Sequence, residues 1–293
     1  MRPPFALALL LLSSAGCARR VGPPPSQPPG ADEALSRMRA TFACAHAIQA
    51  DAKIDHFGEQ GRVRGDLMLF AARPAQVRMD IVSPFGVALY TLTSDGARFA
   101  LDDLRAKRFL VGSATPCNIA RLTTLPVPGH VLVDLLQGAA PVLVHAPGAA
   151  GVAWNADGYF AVTIASTRAA REEIHLVPRP DDWNKPWQDQ RMRVLDVRVE
   201  QAGYVLYRAE MSDHAAAPTA GPREDPDALG PPLPPSGPPC DAEVPRKIHL
   251  EVPDPEADVR FQYHEITWNP PLPEGTFDQQ PPAGVRVEPV SCD

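Results

Sequence analysis

Among residues able to do covalent chemistry, the five cysteines are the most telling in their placement. Cys17 follows Arg2, an unbroken apolar run over residues 5–12, and the small residues Ser13, Ser14, Ala15 and Gly16. Charge, apolar run and small residues in that order form a secretory signal, too short to span a bilayer as a finished helix. A cysteine directly after Ala-Gly is the arrangement of a lipobox, in which the cysteine becomes the mature N-terminus and carries acyl chains. Ser14 stands where such a motif usually has Leu, Val or Ile. The expectation is a signal peptide over 1–16, a lipid anchor at Cys17, and membrane attachment through that lipid.

The other four cysteines are Cys44, Cys117, Cys240 and Cys292. An even number in an exported chain favours two disulfides, and three pairings remain open. No two lie at a Cys-x-x-Cys spacing and no His stands near them in a ligand pattern, so no metal site is expected. Catalytic constellations are missing as well. There is no Gly-x-Ser-x-Gly elbow, no phosphate loop and no His-Glu-x-x-His. The eight His are scattered, and His249 and His264 fall at solvent-facing strand positions. Trp183 and Trp187 read as a loop that packs onto a sheet. The chain is read as a non-enzyme with no cofactor.

Composition narrows the partners. With 28 basic and 35 acidic residues the net charge is −7, and −8 once Arg2 leaves with the signal. Without a basic cluster, nucleic acid is not an expected partner. No stretch after residue 17 approaches the ~20 apolar residues that a transmembrane helix needs.

The elements that must position these residues come from periodicity. Residues 18–30 are rich in proline and read as a semi-rigid tether. Over 31–45, Leu35, Met38, Phe42 and Ala45 form one apolar stripe of a helix. Then the period changes to two: Val77, Met79 and Ile81 alternate with Arg78 and Asp80. Strands are expected at 47–57, 87–94, 97–102, 106–111, 150–155, 159–166, 171–177, 191–201 and 204–211. Short helices fall at 117–123 and 130–137, the second ending at Gly138. A second proline-rich stretch, about 213–243, reads as an insertion. A last hairpin pairs Ile248, Leu250 and Val252 with Val259, Phe261 and Tyr263 around a turn over 253–258. A spacing of about ten residues without intervening helices means an antiparallel meander, about eleven strands in all, within one domain over 31–293.

Three stretches carry a family resemblance. The segment Val82-Ser83-Pro84-Phe85-Gly86-Val87-Ala88-Leu89-Tyr90 ends a strand in Ser-Pro-Phe-Gly and resembles the LolB family within the LolA/LolB-like superfamily. Leu122-Thr123-Thr124-Leu125-Pro126-Val127-Pro128, with Leu135-Leu136-Gln137-Gly138, resembles that family's linking segment and short helix. Leu272-Pro273-Glu274-Gly275-Thr276-Phe277 is similar to its terminal segment. The resemblance implies a mainly β fold: a curved antiparallel sheet, an incomplete barrel, with helices over the concave face. It implies an apolar cavity for acyl chains, with Val63, Leu67, Leu69, Val77, Met79, Ile81 and Leu89 as candidates for its lining. At Phe85 it implies a protruding side chain that helps to put a delivered lipoprotein into the membrane. It also implies an acylated lipoprotein or lipid as cargo and a periplasmic carrier protein as partner. Ala18, where Asp would signal inner-membrane retention in that pathway, points to the outer membrane. The alternative is a structural or assembly lipoprotein that uses the same fold as a protein-binding scaffold.

Overall fold

The structure is a computed structural model describing residues 20–58, 61–123, 125–224, 231–253 and 256–292. The signal segment and Cys17 lie outside the described residues. The first element of the described residues is helix α1 (Ala31–Thr41). A first meander follows: β1 (Ala47–Gly58), β2 (Gly61–Ala72), β3 (Gln76–Val82), β4 (Ala88–Ser94), β5 (Arg98–Asp103) and β6 (Arg108–Ser113). Helices α2 (Pro116–Thr123) and α3 (Gly129–Leu136) separate it from the second. That one holds β7 (His145–Asn155), β8 (Tyr159–Ser166), β9 (Ala170–Pro178), β10 (Met192–Gln201), β11 (Tyr204–Ala216), β12 (Glu243–Pro253) and β13 (Glu256–Trp268). A short β14 (Arg286–Pro289) closes the series.

All the strands join one large, open, curved sheet in the order β14-β6-β5-β4-β3-β2-β1-β13-β12-β11-β10-β9-β8-β7. The two meanders fuse where β1 pairs antiparallel with β13. Every pairing is antiparallel except β14 with β6. The strands number fourteen rather than eleven. β14 has no periodic signature to read: four residues, laid parallel on the edge of β6 and joined to it also by the Arg108–Glu288 ion pair. The last hairpin is also tighter than the sequence suggested, for Pro253 already pairs with Glu256.

Alternation decides which face is buried. Val77, Met79 and Ile81 of β3 are at most 1% exposed, while Arg78 and Asp80 between them form an ion pair. Helix α1 packs against β7, β8 and β10, and α3 against β2 and β3. The helix α1 stops at Thr41, four residues short of the expected end. There the Thr41 hydroxyl donates to the Arg37 carbonyl and accepts the Met192 amide, which ties the helix end to β10. Phe42 and Ala45 are buried regardless, in the turn that delivers Cys44 to Cys240. Helix α3 ends as expected at Gly138, whose φ of 80° is the left-handed region glycine tolerates. A Cβ there would collide with the Pro245 ring.

The two ends of the sheet differ. The turns β1–β2, β3–β4, β5–β6, β8–β9, β10–β11 and β12–β13 all lie at one end, here the rim. Both disulfides, Cys44–Cys240 and Cys117–Cys292, lie at the other, with Cα atoms 5.0 and 6.2 Å apart. At that cross-linked end the fully buried Asn269 clamps three segments. Its Oδ1 accepts the His46 and Ala47 amides, and its Nδ2 donates to the Cys44 and Pro238 carbonyls. The segment between β11 and β12 is held there too, by the Thr219–Trp268 and Arg223–Leu233 bridges. The described N-terminal residues run along the same end: Pro24 and Pro28 are buried, and the Val21 amide donates to the Ala156 carbonyl at 2.9 Å.

Candidate ligand cavity and rim

A cavity of about 1020 Å³ lies among α1, the segments flanking α3, and the rim-side residues of β10 and β11. That is the upper end of the usual size for small-molecule sites, roughly 300–1,000 Å³. Met38 enters from α1, Phe42 from the turn that follows it, Val131 from α3, and Val199 and Tyr207 from the sheet. The 139–144 segment forms one wall as Ala-Ala-Pro-Val-Leu-Val, carrying no charged side chain. Most of the lining is therefore aliphatic or proline, a surface that gains by covering hydrocarbon.

Polar groups are few and grouped. Arg73 spans the wall near the cross-linked end, its Nη2 3.0 Å from Asp134 Oδ1 and its Nη1 donating to the Phe42 carbonyl. Burial pushes the Asp134 carboxyl up from the ordinary carboxylate range, against the opposing pull of Arg73 and His130. Glu172 is wholly buried on the inward face of β9. Burial pushes its carboxyl up to about 7, opposed by the Leu143 amide that it accepts. Tyr207 is pushed up as well, by burial first and then by Glu172 and Asp134, which places both acids around this wall. Arg39 and Arg168, both exposed, line the open side and form no ion pair among the described residues.

None of the seven expected lining residues is on that wall. Leu67, Leu69, Val77, Met79 and Ile81 are at most 2% exposed and belong to the packed core, with Val63 and Leu89 partly buried against it. The cavity lies instead under the second meander, walled by helix and connecting residues. Proline and small side chains in connections carry no periodic signal, and of the apolar stripe read over 31–45 only Met38 and Phe42 reach this wall.

Phe85 is 91% exposed, the most exposed large apolar side chain described. Turn chemistry puts it there. Ser83 to Gly86 form a β-turn closed by Gly86 N–H to Ser83 O at 2.9 Å, with Pro84 at the second position and Phe85 at the corner. The Ser83 hydroxyl accepts the Val87 amide at 3.0 Å, and Val87 is itself 61% exposed. The loop is therefore pinned by its own bonds while its side chains stay in solvent.

One cluster of metal-type donors occurs among the described residues: His249 with Glu251 and Asp258 on the outward face of β12 and β13. His249 Nε2 is 2.8 Å from Asp258 Oδ2, and Arg260 stands 3.3 Å from the other oxygen of that carboxylate. Its donors come from two strands, so linear spacing could not reveal it. His264 is the extra residue of the β13 bulge opposite Asp51 and Ala52, and it is exposed. Trp183 meets Trp154 edge to face at 5.8 Å, part of the packing at the cross-linked end.

No protein-family model matches the chain, and no curated protein matches it in sequence. Among solved structures the chain is similar to a LolA superfamily protein from Nitrosomonas europaea, at 10% identity and a TM-score of 0.47, covering 85% of this chain and 98% of that one. It is also similar to a DUF1329 family protein from Desulfovibrio piger, at 10% identity and a TM-score of 0.46, covering 85% and 95%.

Proposed function

We propose that this chain is a lipid-anchored carrier of the bacterial outer membrane that shelters acyl chains in its cavity and takes part in lipoprotein localisation. The observation that carries the reading is the cavity of about 1020 Å³, walled by aliphatic side chains and open between α1 and the rim of β10 and β11. Each methylene moved from water onto such a wall contributes about 0.8 kcal/mol, so one acyl chain supplies ample affinity without polar recognition. In this reading the helices cover the concave side of the sheet, Cys17 bears the anchor, and Phe85 is the side chain that enters the membrane on delivery. The LolB-like segment around Ser83-Pro84-Phe85-Gly86 and the lipobox-type signal support it.

Mass spectrometry of the purified chain under non-denaturing conditions tests the reading. A co-purifying acylated molecule that is lost when Val131→Trp fills the cavity is the expected result. A chain that stays free of ligand after incubation with acylated peptide would sink it and favour a scaffold role for the same fold.

A further inference from the structure

Exposed apolar side chains on this molecule are not scattered. Eleven large ones are exposed among the described residues, and seven of them lie at the rim. They fall in two groups. Phe85, Val87 and Leu104 sit on the β3–β4 and β5–β6 turns; Val144, Tyr204 and Leu206 sit where β7 and β11 begin. Phe57, on the last turn of β1, stands between them. From β3 to β11 there are five strand steps, roughly 24 Å at ~4.8 Å each. Two separate greasy lips result, and the second, through Val144, Tyr204 and Leu206, is also the mouth of the cavity.

The rim turns that carry these tips bear charge of one sign. The turns 83–87, 104–107, 167–169 and 202–203 hold Arg105, Lys107 and Arg168 and no carboxylate. Glu59 and Asp254 belong by sequence to the two central turns, β1–β2 and β12–β13. At the cross-linked end the corresponding connections carry both signs, Asp95, Asp157, Asp181, Asp182 and Asp189 with Arg73, Arg179, Lys185 and Arg191, several of them ion-paired with one another. A chain of net charge −7 thus keeps cations beside its exposed apolar tips.

We infer that the rim is a docking edge for an anionic lipid bilayer, with both lips dipping into the headgroup layer and the cavity mouth held against it. Separate tips that each carry one or two apolar side chains suit insertion among lipids; a stable protein partner wants a continuous patch, about 800 Å² per side. Tyr204, 72% exposed, has the amphipathic ring that favours the membrane interface, and the cations match anionic headgroups. This inference rests on the reading that Phe85 works at a membrane, and it assigns the second lip and the headgroup charge to the same task.

The test is vesicle flotation of the full chain in a Cys17→Ser background, so that no acyl anchor contributes. Vesicles are phosphatidylcholine alone or phosphatidylcholine mixed with phosphatidylglycerol. Tyr204→Ser with Leu206→Ser should lower partitioning about ten-fold on both. Replacing Arg105, Lys107 and Arg168 by Gln should abolish the preference for phosphatidylglycerol, about five-fold per cation at low salt. Leu233→Ser, at the cross-linked end, should change nothing. Rim variants that partition like the parent would overturn the inference, and if those variants lost capture of a protein instead, the edge would be a protein-docking one. Acyl ligand measured in the same preparations keeps the two ideas apart. A chain empty of ligand that still floats through its rim ends the carrier reading alone; a loaded chain that does not float ends the docking edge alone.

Discussion

The Leu143 amide donates to Oε2 of Glu172 at 2.8 Å, and the second oxygen of that carboxylate has no partner among the described residues. One hydrogen bond therefore joins a buried acid to the wall of the cavity.

That acid makes stability depend on pH in a defined direction. Its carboxyl is raised from 4.5 to about 7 by burial, so the folded chain holds a proton that the unfolded chain has already released. Stability from this group is complete below about pH 4.5 and is lost as pH rises through 7, a change on the order of 3 kcal/mol. Glu172→Gln should flatten that part of the profile and leave the variant more stable than the parent at pH 8. Urea unfolding at pH 5 and pH 8 reads it; an unchanged slope between them would show that Glu172 is ionised throughout.

The Cys44–Cys240 bond closes a loop with a sequence separation of 196 residues. Its removal as Cys44→Ser with Cys240→Ser should cost about 2–5 kcal/mol, most of it through the unfolded chain. Denaturant midpoints measured against the parent give the value. A loss below 1 kcal/mol would mean that the Asn269 clamp already holds the three segments together.

Gly138→Ala meets both a left-handed backbone and the Pro245 ring. Gly203, with φ of 84° and open space around it, meets only the first. The Ala variant at 203 should lose about 1 kcal/mol and that at 138 distinctly more, visible as a larger fall in Tm. Equal losses would show that Pro245 moves aside freely.

Phe85→Glu should leave Tm almost unchanged, because its side chain touches little, while insertion of a delivered lipoprotein into vesicles falls. A transfer assay that runs at the parent rate would remove Phe85 from the delivery step.

The strands were legible where one face is wet: Val77, Met79 and Ile81 declared β3 by alternation alone, and Gly138 declared the end of α3. Phe85 was legible because Pro84 and Gly86 leave the corner of a turn nowhere else to put it. The cavity was not. Its wall over 139–144 is a connection, and periodicity is silent where a chain is neither helix nor strand. The disulfide pairing was equally closed to inspection, since Cys44 meets Cys240 only after β1 and β12 have both been laid beside β13. Prolines misled in one respect: residues 24 and 28 spell an extended linker, yet their rings are buried along the domain.

The fastening of that N-terminal strand has a geometric corollary. Val21 is held by the Ala156 carbonyl and by the Trp154 indole, 3.0 Å from its own carbonyl, so only three residues separate it from Cys17. Those span about 14 Å at full stretch, whereas β1 alone is roughly 40 Å long. A molecule moored at Cys17 with this clasp shut would carry Phe85 at the end of the sheet away from its mooring. Unclasping as far as Gly30 would pay out enough line for the same tip to bow back to its own mooring.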